Sequence, residues 1–487
     1  MKRTGILMPV FSLPSDTGVG ELGKQAEKFI KILKDNGVSI WQILPLNPAG
    51  FGNSPYQPYS SYAGDEIYIS LESLYDMGLL NEIPEKFNEK NKYVDYSAVR
   101  IFKEKYLREA FKAFREKGLE KETSYKEFSS QCWAGDYCVF RAFKKKNNNK
   151  CWNEWNEKDK NWPLTREELS LEDLKEAEYH MFLQYIFNKQ WTYIKNLAND
   201  SDIDILGDVP FYVGIDSVDV WAGRENFLLD KDGHPVFIAG VPPDYFSATG
   251  QRWGNPIYDW DNMKKNGYKF WIDRIGYSNS LFDIVRIDHF RAFDTFWKIP
   301  SSCPTAIEGE WIEAPGYDVI DELKSNIQDL NIVAEDLGDL RKEVIELKDH
   351  YGLKGMKVLM FCVQSDGKYA VDTYKDKENM IIYTGTHDNS TLMEWYESKS
   401  AAGKRKIRKF LKRNGCTQGS VKDKLIEYTL KSDAEYAIIP LADIIGLGKE
   451  GHINTPGTVG EPNWQWKISD FDKTESELKR YKKYIRR

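Results

Sequence analysis

Eight short apolar runs, spread along the whole chain, constrain its fold more than any other feature. Each run is rich in Ile, Val and Leu and ends in polar or charged residues. Runs of this kind are typical of strands that are buried on both faces of a parallel sheet. They span residues 5–11, 38–46, 204–213, 281–290, 331–338, 356–361, 380–387 and 434–443.

Amphipathic segments lie between most of these runs. They carry apolar side chains at helical spacing and charged side chains on the opposite face. These segments span residues 21–34, 264–277, 317–330, 341–349 and 389–411. Eight strands that alternate with helices predict an α/β fold, a closed (β/α)₈ barrel of the TIM type.

Two long connections predict insertions into this barrel. The connection between the second and third runs is far too long for a simple loop, and it contains helical stretches at 99–149 and 171–199. We therefore predict a mostly helical insertion over residues 66–200. A second insertion, over residues 214–260, is rich in Gly, Pro and aromatic residues and is expected to be loop-rich. Both are expected to belong to one catalytic unit that covers residues 1–487.

Composition excludes several classes of partner. The 487 residues include 68 Lys and Arg against 75 Asp and Glu, and the net charge of −7 argues against a nucleic-acid partner. No apolar run approaches the length of a membrane helix, and the N-terminus lacks a signal-peptide cleavage site. Six cysteines are too few for a disulfide scaffold. We expect a protein of the reducing cytoplasm with no membrane partner.

Motifs for cofactors and metals are missing from the sequence. There is no G-x-x-x-x-G-K-[ST] phosphate loop, and no G-x-G-x-x-G follows a predicted strand. The six histidines are scattered, and the spacing of Cys132, Cys138 and Cys151 is not that of a zinc site. The sequence therefore predicts neither a cofactor nor a metal.

Charged side chains follow four of the predicted strands. Active sites of such barrels lie at the carboxyl ends of the strands. An acidic residue at one strand end is more often a helix N-cap, but four charged ends would converge on one mouth. The candidates are Asp208, Arg286, Asp288, His289, Glu335, Asp336, His387 and Asp388.

Cleavage of a glycosidic bond needs an ionised carboxylate and a protonated carboxylic acid in different environments. Arg286 lies two residues before Asp288, so both side chains face the same way on a strand, and the cation favours an ionised Asp288. This makes Asp288 the candidate nucleophile. An apolar strand precedes Glu335, and desolvation there would raise the pKa of an acid/base. The neighbouring Asp336 remains an alternative, because only the strand register decides which side chain faces the mouth. Asp388 could stabilise positive charge on the sugar ring.

Aromatic residues make up 14% of the chain and cluster in two predicted loops near this mouth. Flat rings can stack on the apolar face of a pyranose. The alternative is that the rings only pack the insertions onto the barrel. The candidates are Tyr56, Tyr59 and Tyr62 in segment 51–62, and Tyr245, Phe246, Trp253 and Tyr258 in segment 214–260.

Six motifs occur in one order along the chain: SPYQPYSSYAG, GDVPFYV, GVPPDYFSATGQRWGNPIYDW, RIDHFR, AEDLG and TGTHDN. With them the sequence closely resembles, nearly end to end, the 4-α-glucanotransferases. These enzymes are also called amylomaltases or disproportionating enzymes and are relatives of the α-amylases. The resemblance implies a (β/α)₈ barrel with inserted subdomains and a retaining mechanism with a covalent glucosyl–enzyme.

The resemblance also implies roles for individual residues. Asp288 would be the nucleophile, Glu335 rather than Asp336 the general acid/base, and Asp388 the residue that stabilises the transition state. Asp208, Arg286 and His387 resemble contacts to the donor sugar, Tyr56 an acceptor-side contact, and Gln251 and Trp253 a lid over the bound glucan. The full set of implied substrate contacts is Ser54, Tyr56, Asp208, Asp244, Gln251, Trp253, Arg286, His387 and Asn454.

The function implied is transfer of a segment of an α-1,4-glucan to the 4-hydroxyl of another glucan or glucose. The expected partners are maltooligosaccharides and other α-1,4-glucans, and the expected assembly is a monomer or small homo-oligomer. Two alternatives stay open from the residues: a hydrolase that uses the same carboxylates with water, and a non-catalytic glucan-binding protein. The intact carboxylate set argues against the second. The motifs SPYQ and GQRWGNP argue against the first only through the resemblance.

Overall fold

Parallel strands and surrounding helices make up most of the structure, a computed structural model that describes residues 2–88, 90–243, 247–338, 340–362 and 379–485. Within these residues the strands are β1 Arg3–Leu7, β2 Ile40–Gln42, β3 Asp204–Val209, β4 Phe237–Val241, β5 Gln251–Pro256, β6 Ile284–Ile287, β7 Thr295–Pro300, β8 Glu310–Glu313, β9 Ile332–Ala334, β10 Gly355–Val358, β11 Met380–Tyr383 and β12 Tyr436–Pro440.

The helices fall into groups by their place along the chain. Helix α1 (Lys24–Asp35) joins β1 to β2. Between β2 and β3 lie α2 Leu71–Asp76, α3 Tyr96–Glu116, α4 Thr123–Ser129, α5 Cys132–Lys146, α6 Glu157–Thr165 and α7 Leu171–Asn199. Between β3 and β6 lie α8 Val218–Ala222, α9 Trp260–Lys265 and α10 Lys269–Leu281. The later helices are α11 Gly316–Asn326, α12 Lys342–His350, α13 Leu359–Cys362, α14 Leu392–Glu397, α15 Ala401–Arg413, α16 Val421–Lys431, α17 Leu441–Ile444 and α18 Asp472–Tyr481.

Eight of the strands form the predicted barrel. Their order is β10-β11-β12-β1-β2-β3-β6-β9, and every neighbouring pair is parallel. A parallel bridge between Val333 and Lys354 brings β9 beside β10 and closes the ring. Each barrel strand overlaps one of the eight apolar runs, so the prediction of a (β/α)₈ barrel is confirmed. The strands are apolar on both faces because helices cover the outside and side chains fill the inside.

Strand register places the charged strand ends at one level of the barrel. Asp208 on β3 pairs directly with Arg286 on β6. Ile287 on β6 pairs with Ala334 on β9, so Asp288 and Glu335 each follow the last paired residue of adjacent strands. The mouth of the barrel therefore receives these side chains side by side.

Two predicted helices differ from the structure. The segment 389–411 forms two helices, α14 and α15, because the Ser400 side chain accepts from the backbone of Gly403 and begins a new helix. The segment 264–277 is interrupted at Gly267 and Tyr268, which both have positive φ, so α10 begins only at Lys269. The sequence pattern was continuous in both places, and local backbone geometry breaks it.

A second sheet was not predicted. Strands β5-β4-β7-β8 form an antiparallel sheet beside the barrel, and β4 and β5 lie within the segment 214–260 that we expected to be loop-rich. Gly240 on β4 is required here, because a Cβ atom would lie 2.1 Å from the carbonyl oxygen of Gln251 on β5. Strands β5 (QRWGNP) and β8 (EWIE) contain polar or charged residues at half of their positions and therefore form no apolar run.

In the part of the chain that the structure describes, no helix is both long and apolar enough to cross a bilayer.

Candidate active site

A continuous set of polar contacts links the ends of β3 and β6. Both oxygens of the Asp208 carboxylate accept from Arg286 Nη1, each at 2.6 Å, and the two side chains are almost fully buried. Arg286 Nη2 donates to Asp288 Oδ1 at 2.9 Å. The Asp288 side chain is 28% exposed, so it reaches the mouth, while Arg286 and Asp208 lie buried beneath it. A charge-assisted hydrogen bond of this kind holds the Asp288 carboxylate in one orientation.

Tyr56 connects this set to the end of β11. Its hydroxyl donates to Asp208 Oδ2 at 2.7 Å and lies 2.8 Å from His387 Nε2, so its oxygen accepts the histidine proton. The Tyr56 and His387 rings are also stacked, with centroids 5.2 Å apart. His387 Nε2 lies 3.3 Å from Asp388 Oδ2, and Asn454 Nδ2 donates to Asp388 Oδ1 at 2.6 Å. The contacts thus run from the Asp288 carboxylate to the Asp388 carboxylate.

The phenol of Tyr56 does not lie apart from the groups that resemble donor-sugar contacts. It bonds directly to Asp208 and His387, both of which belong to that donor group. The acceptor-side contact that the resemblance implies for Tyr56 stays a prediction. An aromatic residue on a loop can be assigned to one side of a cleft only when its partners are known.

Glu335 lies next to the Asp288 carboxylate, beyond the end of β9. Its Oε2 accepts from the backbone nitrogen of His289 at 2.9 Å, and its Oε1 accepts from the backbone nitrogen of Leu337 at 2.8 Å. The neighbouring Asp336 has different partners, since its carboxylate accepts from Lys348 Nζ and from the Met356 backbone. Glu335, not Asp336, is therefore the carboxyl group that contacts the Asp288 side of the mouth.

The surroundings of Glu335 and Asp388 give these two carboxyl groups different pKa values. Burial, and after it the negative charge of Asp288, raises the pKa of Glu335 to about 7. Burial also acts on Asp388, but the contacts with His387 and Asn454 outweigh it and lower the pKa of Asp388 to about 2. The same ion pair raises the pKa of His387 against the effect of burial. Glu335 can therefore hold a proton near neutral pH while Asp388 remains ionised.

His289 contributes a contact that side-chain reasoning missed. Its backbone is left-handed, with φ of 53°, at the start of the 3₁₀ turn Phe290–Phe293. This conformation directs its N–H to Glu335 and leaves its ring edge-on to Trp253, with centroids 4.9 Å apart. The sequence carries no signal for such a backbone donor beyond the position of His289 directly after Asp288.

The implied lid residues lie on β5. Trp253 contacts His289 and donates from Nε1 to Gln251 Oε1 at 3.2 Å. The predicted contact Asp244 and the aromatic candidates Tyr245 and Phe246 fall outside the described residues. The Gln251–Trp253 pair is thus connected to the backbone donor of Glu335 through His289.

The remaining loop candidates pack against the protein. Ser54 accepts from the Tyr56 backbone at 3.3 Å and shapes the turn that carries Tyr56. Tyr62 stacks on Trp133, and Tyr258 is buried and donates to the Phe211 carbonyl. For Tyr62 and Tyr258 the packing alternative describes the contacts.

The comparisons with known proteins agree with one another. A family model described as 4-alpha-glucanotransferase matches residues 8–473. A 4-alpha-glucanotransferase of Thermus thermophilus is 39% identical, over 95% of this chain and 94% of the relative. One of Synechocystis sp. is 43% identical, over 95% of this chain and 93% of the relative. Among solved structures, an amylomaltase from Streptococcus agalactiae in complex with acarbose has a TM-score of 0.91 and 32% identity, and the match covers 99% of each chain.

Proposed function

Because the chain belongs to the 4-α-glucanotransferase family, we propose that Asp288, Glu335 and Asp388 carry its transfer reaction on α-1,4-glucans. The observation that carries this proposal is that Glu335, whose pKa is raised to about 7, lies beside the Asp288 carboxylate, which Arg286 holds by a charge-assisted hydrogen bond. A retaining transfer needs this pair of an acid and a nucleophile.

In the first step a glycosidic bond of the donor breaks. An Asp288 oxygen attacks the anomeric carbon, and the bond to the departing glucan breaks with its electron pair on the glycosidic oxygen. Glu335 delivers its proton to that oxygen, so the departing glucan leaves as a neutral alcohol. The sugar ring gains positive charge in the transition state, and the ionised Asp388 stabilises that charge.

In the second step the glucosyl group that is bound to Asp288 is transferred to an acceptor. Glu335, now a carboxylate, takes the proton from the 4-hydroxyl of an acceptor glucan as that oxygen attacks the anomeric carbon. The bond to Asp288 breaks and its carboxylate is restored. Two displacements retain the α configuration, and the new bond is of the same type as the old one.

Residues around the three carboxylates are proposed to bind the sugar. Arg286, His387 and Asn454 contact these carboxylates directly, and Asp208 is bonded to Arg286. The proposed lid pair is Gln251 and Trp253, with Ser54 shaping the adjacent loop. Asp244 is retained as a proposed contact on the strength of its GVPPDYF motif alone.

Incubation with maltotriose alone tests the function. We expect glucose together with a ladder of longer maltodextrins, while the total number of reducing ends stays nearly constant. A hydrolase would instead produce only shorter sugars with rising reducing ends, and a glucan-binding protein would leave maltotriose unchanged. Either of these results would overturn the proposal.

We also propose how the chain is organised and where it works. The helices between β2 and β3 support an insertion over 66–200, and segment 214–260 carries the lid strand β5; both are proposed to serve one catalytic unit over 1–487. The small number of cysteines favours a reducing compartment, the cytoplasm. A monomer or small homo-oligomer acting on maltooligosaccharides fits this proposal, and light scattering in solution would test it.

The raised pKa of Glu335 predicts a pH dependence. Glu335 must hold a proton to act as an acid, and its pKa of about 7 means that this proton is present below pH 7 and lost above it. We therefore expect kcat/KM for maltotriose to fall as the pH rises through about 7. Initial rates over a pH series measure this decline.

An activated donor provides the control for this pH dependence. The fluoride of an α-maltosyl fluoride leaves with little need of a proton, so the decline in kcat/KM above pH 7 should weaken with that donor. An equally steep decline with both donors would contradict the assignment of the acid to Glu335.

Substitution of Tyr56 by Phe tests the placement of its hydroxyl. The change removes hydrogen bonds to Asp208 and His387 but keeps the ring stacked. A hydrogen bond to a charged group is worth about 1.5–3 kcal/mol, so we expect kcat/KM to fall about tenfold or more. Transfer and hydrolysis should fall together, because both need the donor sugar.

A matched tyrosine controls for the loss of a buried phenol. Tyr481 also donates to a carboxylate, Asp423 Oδ1 at 2.7 Å, but it lies on α18. Tyr481→Phe should leave kcat/KM unchanged. A Tyr56→Phe enzyme that lost transfer while keeping hydrolysis would support the acceptor-side role instead.

A further inference from the structure

The segment that carries His387 and Asp388 is a connection between β11 and α14, residues 384–392, which we call the 384–392 loop. It is tethered at its centre by Asn454, whose backbone nitrogen donates to the His387 carbonyl at 3.1 Å and whose side chain donates to Asp388. Asn389 Oδ1 accepts from the Thr386 backbone at 2.8 Å and braces the loop internally. These contacts order the middle of the loop but do not anchor its two ends.

Both ends of the 384–392 loop bond to one buried carboxylate, that of Asp443. Thr384 Oγ1 donates to Asp443 Oδ2 at 2.6 Å, and the Leu392 backbone nitrogen donates to Asp443 Oδ1 at 2.7 Å. Thr384 directly follows β11, and Leu392 is the first residue of α14. The Asp443 side chain therefore closes the loop as a clip between its first and last residues.

The position of Asp443 explains why it can do this. It lies on α17, directly after β12, and β12 is the parallel neighbour of β11 in the barrel. Asp443 is only 1% exposed and Thr384 is 0% exposed, so water does not compete for these bonds. Burial is the largest effect on Asp443 and raises its pKa to about 6. The hydrogen bonds from Leu392 and Thr384 act in the opposite direction and keep the pKa from rising further. The group is thus a carboxylate at neutral pH, with an acceptor for each end of the loop.

The N–H of Leu392 has a specific need for this acceptor. It belongs to the first turn of α14, where backbone N–H groups have no partner within the helix. The N-cap residue Thr391 satisfies a different group, the nitrogen of Glu394. Asp443 supplies the missing acceptor from α17, so the start of α14 and the end of β11 keep a fixed separation.

We propose that Asp443 is a positioning residue for transfer, which holds the 384–392 loop so that Asp388 and His387 face the sugar ring. This inference rests on the proposed role of Asp388. Asp443 itself touches neither substrate nor the reacting atoms. Its contribution is geometric, and small displacements of catalytic groups cost about 100-fold in rate.

The test removes the clip at Thr384. Thr384→Val keeps shape but cannot donate to Asp443, and we expect kcat for maltotriose disproportionation to fall about 10- to 100-fold. KM should change less, because the loop would act mainly on the transition state. Thr384→Ser keeps the hydroxyl and should restore kcat to near the wild-type value. Asp443→Ala removes both bonds and should lower kcat further.

Two comparisons separate positioning from simple destabilisation. Thr429→Val is a matched control, because Thr429 on α16 is also fully buried and also donates one hydrogen bond, to the Leu425 carbonyl at 3.0 Å. It should change the thermal unfolding midpoint as Thr384→Val does while leaving kcat unchanged. In an Asp388→Asn background, Thr384→Val should lower kcat less than it does in the wild type, because only the placement of His387 is then left to lose. The donor in this measurement is α-maltosyl fluoride.

The possible results distinguish the two proposals. A wild-type kcat for Asp388→Asn alone would overturn the proposed role of Asp388 and the reason for the clip with it. If that variant is impaired, but Thr384→Val costs as much in its background as in the wild type, only the positioning inference is overturned. An unimpaired Thr384→Val enzyme, a Thr384→Ser enzyme as impaired as Thr384→Val, or an equal loss of kcat in Thr429→Val would also overturn it.

Discussion

Replacement of Asp288 by Asn is expected to abolish glucan transfer while the barrel stays folded. The amide cannot attack the anomeric carbon as a carboxylate does, so no glucosyl–enzyme forms. Removal of a covalent nucleophile costs other enzymes about 10⁴-fold or more in kcat, and we expect a loss of that size. The disproportionation of maltotriose by purified Asp288→Asn enzyme measures it.

The fold should survive this change because Asp288 does not hold Arg286 alone. Both oxygens of the buried Asp208 carboxylate remain bonded to the Arg286 guanidinium, so its charge keeps a partner. The thermal unfolding midpoint of Asp288→Asn should therefore lie close to that of the wild type. Asp318→Asn, which changes an exposed carboxylate paired with Lys264, controls for the substitution and should keep full activity. Wild-type turnover in Asp288→Asn would rule out Asp288 as the nucleophile.

The strands could be predicted because their apolar runs are a local feature, whereas the geometry of the site depends on pairing between distant segments. Asp208 and Arg286 were both recognisable as charged strand ends. Their direct pairing follows only from β3 lying beside β6, with β4 and β5 diverted into another sheet. The choice between Glu335 and Asp336 also depends on distant segments, because each carboxylate bonds to residues elsewhere in the chain.

Three features left no pattern in the sequence. The antiparallel sheet beside the barrel pairs strands of mixed polarity, and its small apolar cluster draws Ile238 and Ile299 from different strands rather than from one apolar run. The His289 donor to Glu335 is a backbone group in a left-handed conformation, and side-chain identity does not reveal it. The clip at Asp443 was also missed, since one carboxylate in the first turn of α17 resembles any acidic residue near a helix N-terminus.

Replacement of Glu335 by Gln is the second change with a large expected effect. The amide cannot release a proton to the departing oxygen, and it cannot take one from the acceptor hydroxyl. General acid–base catalysis contributes about 10²- to 10⁴-fold, so we expect kcat/KM for maltotriose to fall by at least about 10²-fold. The neighbouring Asp336→Asn is the matched control, because its carboxylate contacts Lys348 and the Met356 backbone instead of Asp288. That variant should be less stable but should keep its transfer activity.

Activated donors separate the two tasks of Glu335. With α-maltosyl fluoride the first step needs little acid, so Glu335→Gln enzyme should form the Asp288 adduct readily. The second step still needs a base for a neutral acceptor hydroxyl, and the adduct should therefore accumulate and be visible as a mass increase on the intact protein. Azide, a nucleophile that needs no base, should release that adduct as an α-maltosyl azide. The anomeric configuration of this product shows whether Asp288 formed an adduct. An α-azide requires two displacements and therefore an Asp288 adduct. A β-azide would mean that azide reacted with the donor directly and that Asp288 had formed no adduct.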